Sequence, residues 1–187
     1  MGWFDWLKIR PKGPKFEERH DIGGVPADTT SIRETPSDYI CYIGVEEFAG
    51  NVLARTYSKN GKLYLSMDED TESPNNFPDV TRLFTWIHEL CHVASWARND
   101  ITHSSDPNSI LYYRVDPIYK EPTTWDMAVM QEAVDRLGQI TLRMTPSFSA
   151  SNWPNGMDSF IKAVAWWNAR LEKFLNGKNF FVVEWVN

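Results

Sequence analysis

Apolar residues change their spacing along the chain, and each spacing predicts a different element. Tyr39–Val45, Val52–Tyr57 and Leu63–Met67 are short runs rich in β-branched and aromatic residues. Asn60-Gly61, between the last two runs, is a two-residue hairpin signal, because both residues accept the positive φ of a type I′ turn. The pattern predicts a small, partly antiparallel sheet with Leu63–Met67 at its edge. Beyond Pro78, which suits a first helical turn, Leu83, Ile87, Leu90, Ala94 and Ala97 recur at i, i+4, i+7, i+11 and i+14. That spacing is one face of a helix running to about Arg98, where Asn99-Asp100 can end it. Thr123 and Asp126 have the spacing of a capping box, and Met127, Met130, Val134 and Leu137 carry a second helix to Gly138. A third helix begins near Asp158, with Phe160, Val164, Trp167, Leu171 and Phe174 on one face and Gly177 as its stop. Asn179–Val186 reads as a final strand. Residues 99–122 and 145–157 read as irregular, and no internal repeat is present.

The first 37 residues follow none of these periods. Trp3, Phe4, Trp6 and Leu7 form an apolar tip; Lys8, Arg10, Lys12 and Lys15 follow, interrupted by Pro11 and Pro14; a Gly/Pro/Thr/Ser stretch runs to Pro36. This reads as an extended arm whose tip, residues 1–16, suits docking to a larger assembly. The expected organisation is an arm over residues 1–37 and an α/β (α+β) domain over residues 38–187, with residues 145–187 as a helix–strand extension.

Composition narrows the function classes. The 187 residues are 42% hydrophobic and 14% aromatic, enough for a buried core. Nineteen Lys+Arg against 25 Asp+Glu give a net charge of -6, a poor match to a phosphate backbone, so nucleic acid is not the expected partner. No run approaches the roughly 18 apolar residues of a membrane span. Met1–Lys15 lacks the apolar core of a secretory signal, so synthesis in the cytoplasm is expected. Cys41 and Cys91 make no disulfide framework, and reduced thiols are the default, with a single Cys41–Cys91 bond left open. Asp68, Asp70 and Glu72 offer oxygens of the kind Ca2+ takes, but without the spacing or glycine of a calcium loop they read as a solvated turn.

Three of the four histidines lie within 16 residues: His88-Glu89-Leu90-Cys91-His92, then His103. On a helix, residues i and i+4 share a face one turn apart, so His88 and His92 can converge on one metal ion. Glu89 is rotated about 100° from His88 and stands beside the ion without needing to ligate it. From there it can take a proton from a metal-activated water and pass it to a leaving amine. A catalytic zinc takes three protein ligands and keeps one open position, and His103 is the natural third.

The segment His103-Ser104-Ser105-Asp106-Pro107-Asn108-Ser109-Ile110-Leu111-Tyr112-Tyr113, together with the HExxH motif, resembles matrixin-type metzincins, a zincin-like family of zinc peptidases. The family typically reads HExxHxxGxxHS followed by an S-I-M-Y-P turn; the likeness covers about residues 78–138. It implies a zincin-like domain with a small mixed sheet over the active-site helix, and one zinc ion held by His88, His92 and His103. It makes Glu89 general base and acid. It places Leu111 where the family's turn methionine sits, and Tyr113 where some metzincins have a zinc-side tyrosine, with Tyr112 the alternative. A phenol there would stabilise an oxyanion. The implied activity is that of a zinc metalloendopeptidase, its peptide or protein substrate extended along an edge strand, for which Leu63–Met67 is the expected strand.

This sequence departs from the family in three places. Ser95 replaces the glycine, ten residues rather than five separate His92 from His103, and leucine replaces methionine. The longer gap leaves room for Glu132, 40 residues past His92, or Asp106 as third ligand instead of His103. Cys91 reads as an inert core thiol and His20 has no assigned role. The residues before Pro78 offer no long helix to back the sheet, so Asp158–Leu175 is expected to take that place. The alternative to an enzyme is a structural or binding component on a peptidase scaffold, anchored by the arm to an assembly such as a virus particle.

Overall fold

The computed structural model describes residues 39–50, 52–72, 77–98, 103–113 and 119–185. The segment before Tyr39, with the arm and His20, lies outside the described residues. The strands are β1 (Ile40–Glu46), β2 (Ala54–Lys59), β3 (Lys62–Asp68), β4 (Ile140–Met144) and β5 (Phe181–Glu184). The α-helices are α1 (Glu69–Glu72), α2 (Asp79–Ser95), α3 (Thr124–Leu137) and α4 (Pro154–Leu171). The result is a mixed α/β architecture with one five-stranded sheet, ordered β2-β3-β1-β4-β5. Only the β2–β3 pair is antiparallel.

That pair is the expected hairpin: Asn60 (φ 53°) and Gly61 (φ 70°) turn the chain, and Ser58 faces Leu63 across it. The expectation that Leu63–Met67 forms the edge is corrected. β3 lies between β2 and β1, and β2 is the edge. The parallel β1–β3 pairing, Cys41 opposite Leu63 through Glu46 opposite Asp68, covers the other side of β3.

Alternation then sorts the sheet into two faces. Cys41, Ile43, Val45, Leu63, Leu65, Met67, Ile140, Leu142 and Met144 point into one core with α2 and α4. The opposite face carries a cross-strand row, Tyr57–Tyr64–Tyr42–Arg143–Glu184, one residue from each strand. The tyrosine rings stack at 5.3 Å centroid spacing, and Arg143 Nε reaches Glu184 Oε2 at 2.9 Å. Ring faces cover one another there, so that side of the sheet presents hydroxyls and charges outward.

β4 went unassigned in the sequence reading, although Ile-Thr-Leu-Arg-Met alternates as a half-buried strand should. The helix expected from Asp158 starts four residues earlier, with Pro154 in its first turn, where its missing N–H costs nothing. Pro78 is the residue before α2 rather than its first turn. The stretch from Asp68 is not all loop: Asp68 ends β3, accepts from Phe48 N at 2.8 Å and Asp70 N at 3.1 Å, and α1 follows.

α4 and β5 belong to the core. Trp167 is fully buried and its Nε1 donates to the Ile87 carbonyl at 2.9 Å, which fixes α4 against α2 beside His88. Asn168 bridges α4 to β5 through both backbone groups of Phe181, each at 2.9 Å. Trp86 of α2 stacks on Phe148 (5.2 Å) and meets Phe160 of α4 edge-on (5.0 Å). No described helix is long and apolar enough to cross a membrane. Both cysteines are buried free thiols, so no Cys41–Cys91 bond is formed.

Candidate metal centre

α2 packs against β2, β3, α3 and α4, which is why nearly its whole length from Thr81 is buried and why its polar residues must find partners inside. His88 and His92 lie one turn apart on it. A single 3-10 turn, Trp96–Arg98, follows, and His103 returns to the same point from the loop beyond. His92 Nε2 lies 3.0 Å from His88 Nε2 and 3.1 Å from His103 Nε2. All three rings are buried. Among the described residues they form the one group of metal-type ligands that gathers around a common point, so the cluster could hold a metal ion.

Proton placement tests whether a cation fits. His88 Nδ1 lies 2.7 Å from the Ile110 carbonyl, which can only accept, so the proton sits on Nδ1 and the Nε2 lone pair faces the cluster. With that lone pair fixed, no assignment of single protons gives both Nε2 contacts of His92 a straight hydrogen bond. A cation satisfies all three lone pairs at once. Ligands about 2.0–2.1 Å from a tetrahedral ion stand about 3.3 Å apart, within a few tenths of an ångström of the spacing seen. Burial also keeps the rings neutral, as ligands must be: it pushes His88 down to about 4, His103 down to about 3, and His92 well below the usual imidazole value. Among the described residues His92 Nδ1 is buried without a partner.

Glu89 stands beside the cluster. It is buried, its Oε1 is 4.0 Å from His88 Nε2, and its Oε2 accepts from Thr56 Oγ1 at 2.6 Å. Cys41 of β1 lies close enough for the Glu89 charge to add to burial in pushing its thiol upward.

The loop after His103 folds under the histidines. Ser104 N donates to the Leu111 carbonyl at 2.7 Å, and Ser104 forms a parallel bridge with Tyr112. Leu111 is fully buried at the base. Asp126 holds this turn. Its carboxylate accepts from Ile110 N (2.9 Å), Thr123 N (2.7 Å), Thr123 Oγ1 (2.8 Å) and Ser109 Oγ. The expected capping box therefore exists, but the same Asp126 also fixes the peptide whose carbonyl orients His88. Spacing alone shows only the cap, and Thr56 is an ordinary strand residue until the sheet brings it to Glu89.

Glu132 and Asp106 are not in the metal-type cluster. Glu132 pairs with Arg136 at 2.8 Å along α3, and Asp106 Oδ1 accepts from Asn108 N at 2.9 Å within its own exposed turn. Tyr113 is 53% exposed, its ring 4.5 Å from that of Tyr112. Lys120 Nζ reaches the Pro107 carbonyl at 2.8 Å and ties the following segment to this turn. Cys91 is buried between the two helix histidines in sequence.

No family model matches the chain, and no curated protein or solved structure matches it significantly.

Proposed function

We propose that the chain is a zinc-dependent endopeptidase with a zincin-like catalytic domain. One observation carries the reading: three buried Nε2 atoms gathered on one point, with a buried carboxylate 4.0 Å from the nearest of them but hydrogen-bonded elsewhere. His88, His92 and His103 would hold one zinc ion, which when bound polarises a carbonyl and makes water a nucleophile near neutral pH. The chain's own residues do the rest. Glu89 takes the proton as the water oxygen bonds to the carbonyl carbon, and returns it to the amine nitrogen as the C–N bond breaks. Ile110 holds His88 in the tautomer that presents Nε2 inward. The edge of β2, which pairs with no further strand among the described residues, would supply main-chain partners for an extended peptide in place of the strand expected from sequence. Tyr113 is the donor assigned to the developing oxyanion.

The experiment is zinc content and casein cleavage by the purified full chain, wild type against Glu89→Ala. One bound zinc in both, with cleavage only in wild type, supports the reading. Zinc retained with no cleavage in either favours the second reading, a scaffold component that the aromatic tip at residues 1–16 docks to an assembly, and size exclusion with and without residues 1–37 then tests the anchor.

A further inference from the structure

A buried carboxylate beside three convergent imidazoles is itself a good zinc ligand, and a base that ligates the metal is no longer a base. Something must hold Glu89 back. We propose that Thr56 is that positioning residue: its hydroxyl ties one carboxylate oxygen to the sheet, so that Glu89 stays out of the coordination sphere and keeps its other oxygen toward the reacting water. The inference rests on the peptidase reading for the water, but not for the restraint.

The two groups come from different elements. Glu89 lies near the C-terminal half of α2, and Thr56 lies mid-strand in β2, opposite Leu65. Thr56 points inward with Ala54 and Ser58, is buried, and sits 2.6 Å from Glu89 Oε2, a short charge-assisted contact. Its distance to the Glu89 carbonyl is 3.4 Å, so the single hydroxyl proton goes to the carboxylate. Oε1 is the oxygen left on the His88 side, at 4.0 Å from Nε2. A valine would fill the same volume with no donor, removing this tether on the carboxylate.

The test uses the full chain, freed of metal and titrated with Co2+, in wild type, Thr56→Val and Thr56→Ser. In Thr56→Val we expect Co2+ bound as tightly or more tightly, with weaker d–d bands as the coordination number rises. On a peptide substrate kcat should fall about 10–100-fold while KM stays within about twofold. Thr56→Ser, which keeps the donor, should restore both spectrum and kcat. A wild-type spectrum with wild-type kcat in Thr56→Val overturns the proposal. So does loss of Co2+ affinity together with loss of thermal stability, which would make the hydroxyl merely structural. Should Thr56→Val fail to fold, Thr56→Ala is read in the same way. Failure of both to fold beside a folded Thr56→Ser also counts against the proposal. If the wild type cleaves nothing, the peptidase reading fails, and the Co2+ comparison still decides the role of Thr56.

Discussion

Two buried polar clusters meet at residues 109–111, and they differ in completeness. Asp126 is fully buried, and Ser109, Ile110 and Thr123 supply donors to both its oxygens. The histidine cluster beside it crowds Nε2 atoms 3.0 and 3.1 Å apart, contacts that single ring protons cannot both satisfy. Polar groups in a core are ordinarily paired, because an unpaired one loses its hydration for nothing. A satisfied cluster is therefore architecture, and an unsatisfied one beside it marks where a ligand belongs. Glu72 is an intermediate case. Its Oε1 accepts from Trp86 Nε1 at 3.0 Å, while its Oε2 has no partner among the described residues and is packed so close to Gly156 that an added Cβ would lie 1.6 Å away.

The sharpest way to break this comparison is to remove the proposed acid–base group and leave the proposed ligands. Glu89→Gln should lower turnover about 10²–10⁴-fold while zinc content stays at the wild-type level. An equal loss of zinc would make Glu89 a ligand and erase the distinction. Next is the satisfied cluster. Asp126→Ala strands several buried donors and should cost about 3–5 kcal/mol in urea denaturation. Because Ile110 loses its anchor, metal affinity should also fall, by about tenfold or more. Loss of stability with unchanged affinity would uncouple the turn from His88.

Glu72 gives a smaller, pH-dependent effect. Burial raises its carboxyl from 4.5 to about 7, outweighing the Trp86 hydrogen bond and the Arg82 charge. Between those values the folded chain keeps a proton that the unfolded chain releases. The stability from this group is thus fully present below pH 4.5 and is lost as pH rises toward about 7. Glu72→Gln removes this contribution, so the difference in urea stability between wild type and variant should move in favour of the variant from about pH 5 to about pH 7.5; a difference independent of pH would place the titration elsewhere. The smallest effects belong to the rejected ligands. Asp106→Ala and Glu132→Ala should each change stability by under about 1 kcal/mol and leave zinc affinity at the wild-type value. A large loss of affinity in either would reopen the ligand set.

What could be read from the residues was local. The Asn60-Gly61 turn, the helix carrying His88 and His92 and the Thr123–Asp126 cap each follow from spacing within a short window, whereas the ten-residue gap before His103 left Glu132 and Asp106 open beside it. What could not be read was decided between distant segments. β2 became the edge only because β1 and β3 pair in parallel, a choice that no residue in either strand announces. The position of α4 beside α2 depends on Trp167 meeting the Ile87 carbonyl, 80 residues away. Thr56 and Asp126 carry common local roles, strand former and helix cap, and meet their partners at the site across sequence separations of 33 and 16.

The claim beneath all of this is that His88, His92 and His103 together bind one ion. Zinc K-edge X-ray absorption on the full chain loaded with one equivalent of zinc tests it directly. Three imidazole nitrogens at about 2.0–2.1 Å are expected, with the imidazole signal reduced in His103→Ala. A chain that takes up no zinc, or a nitrogen shell unchanged in His103→Ala, would contradict it.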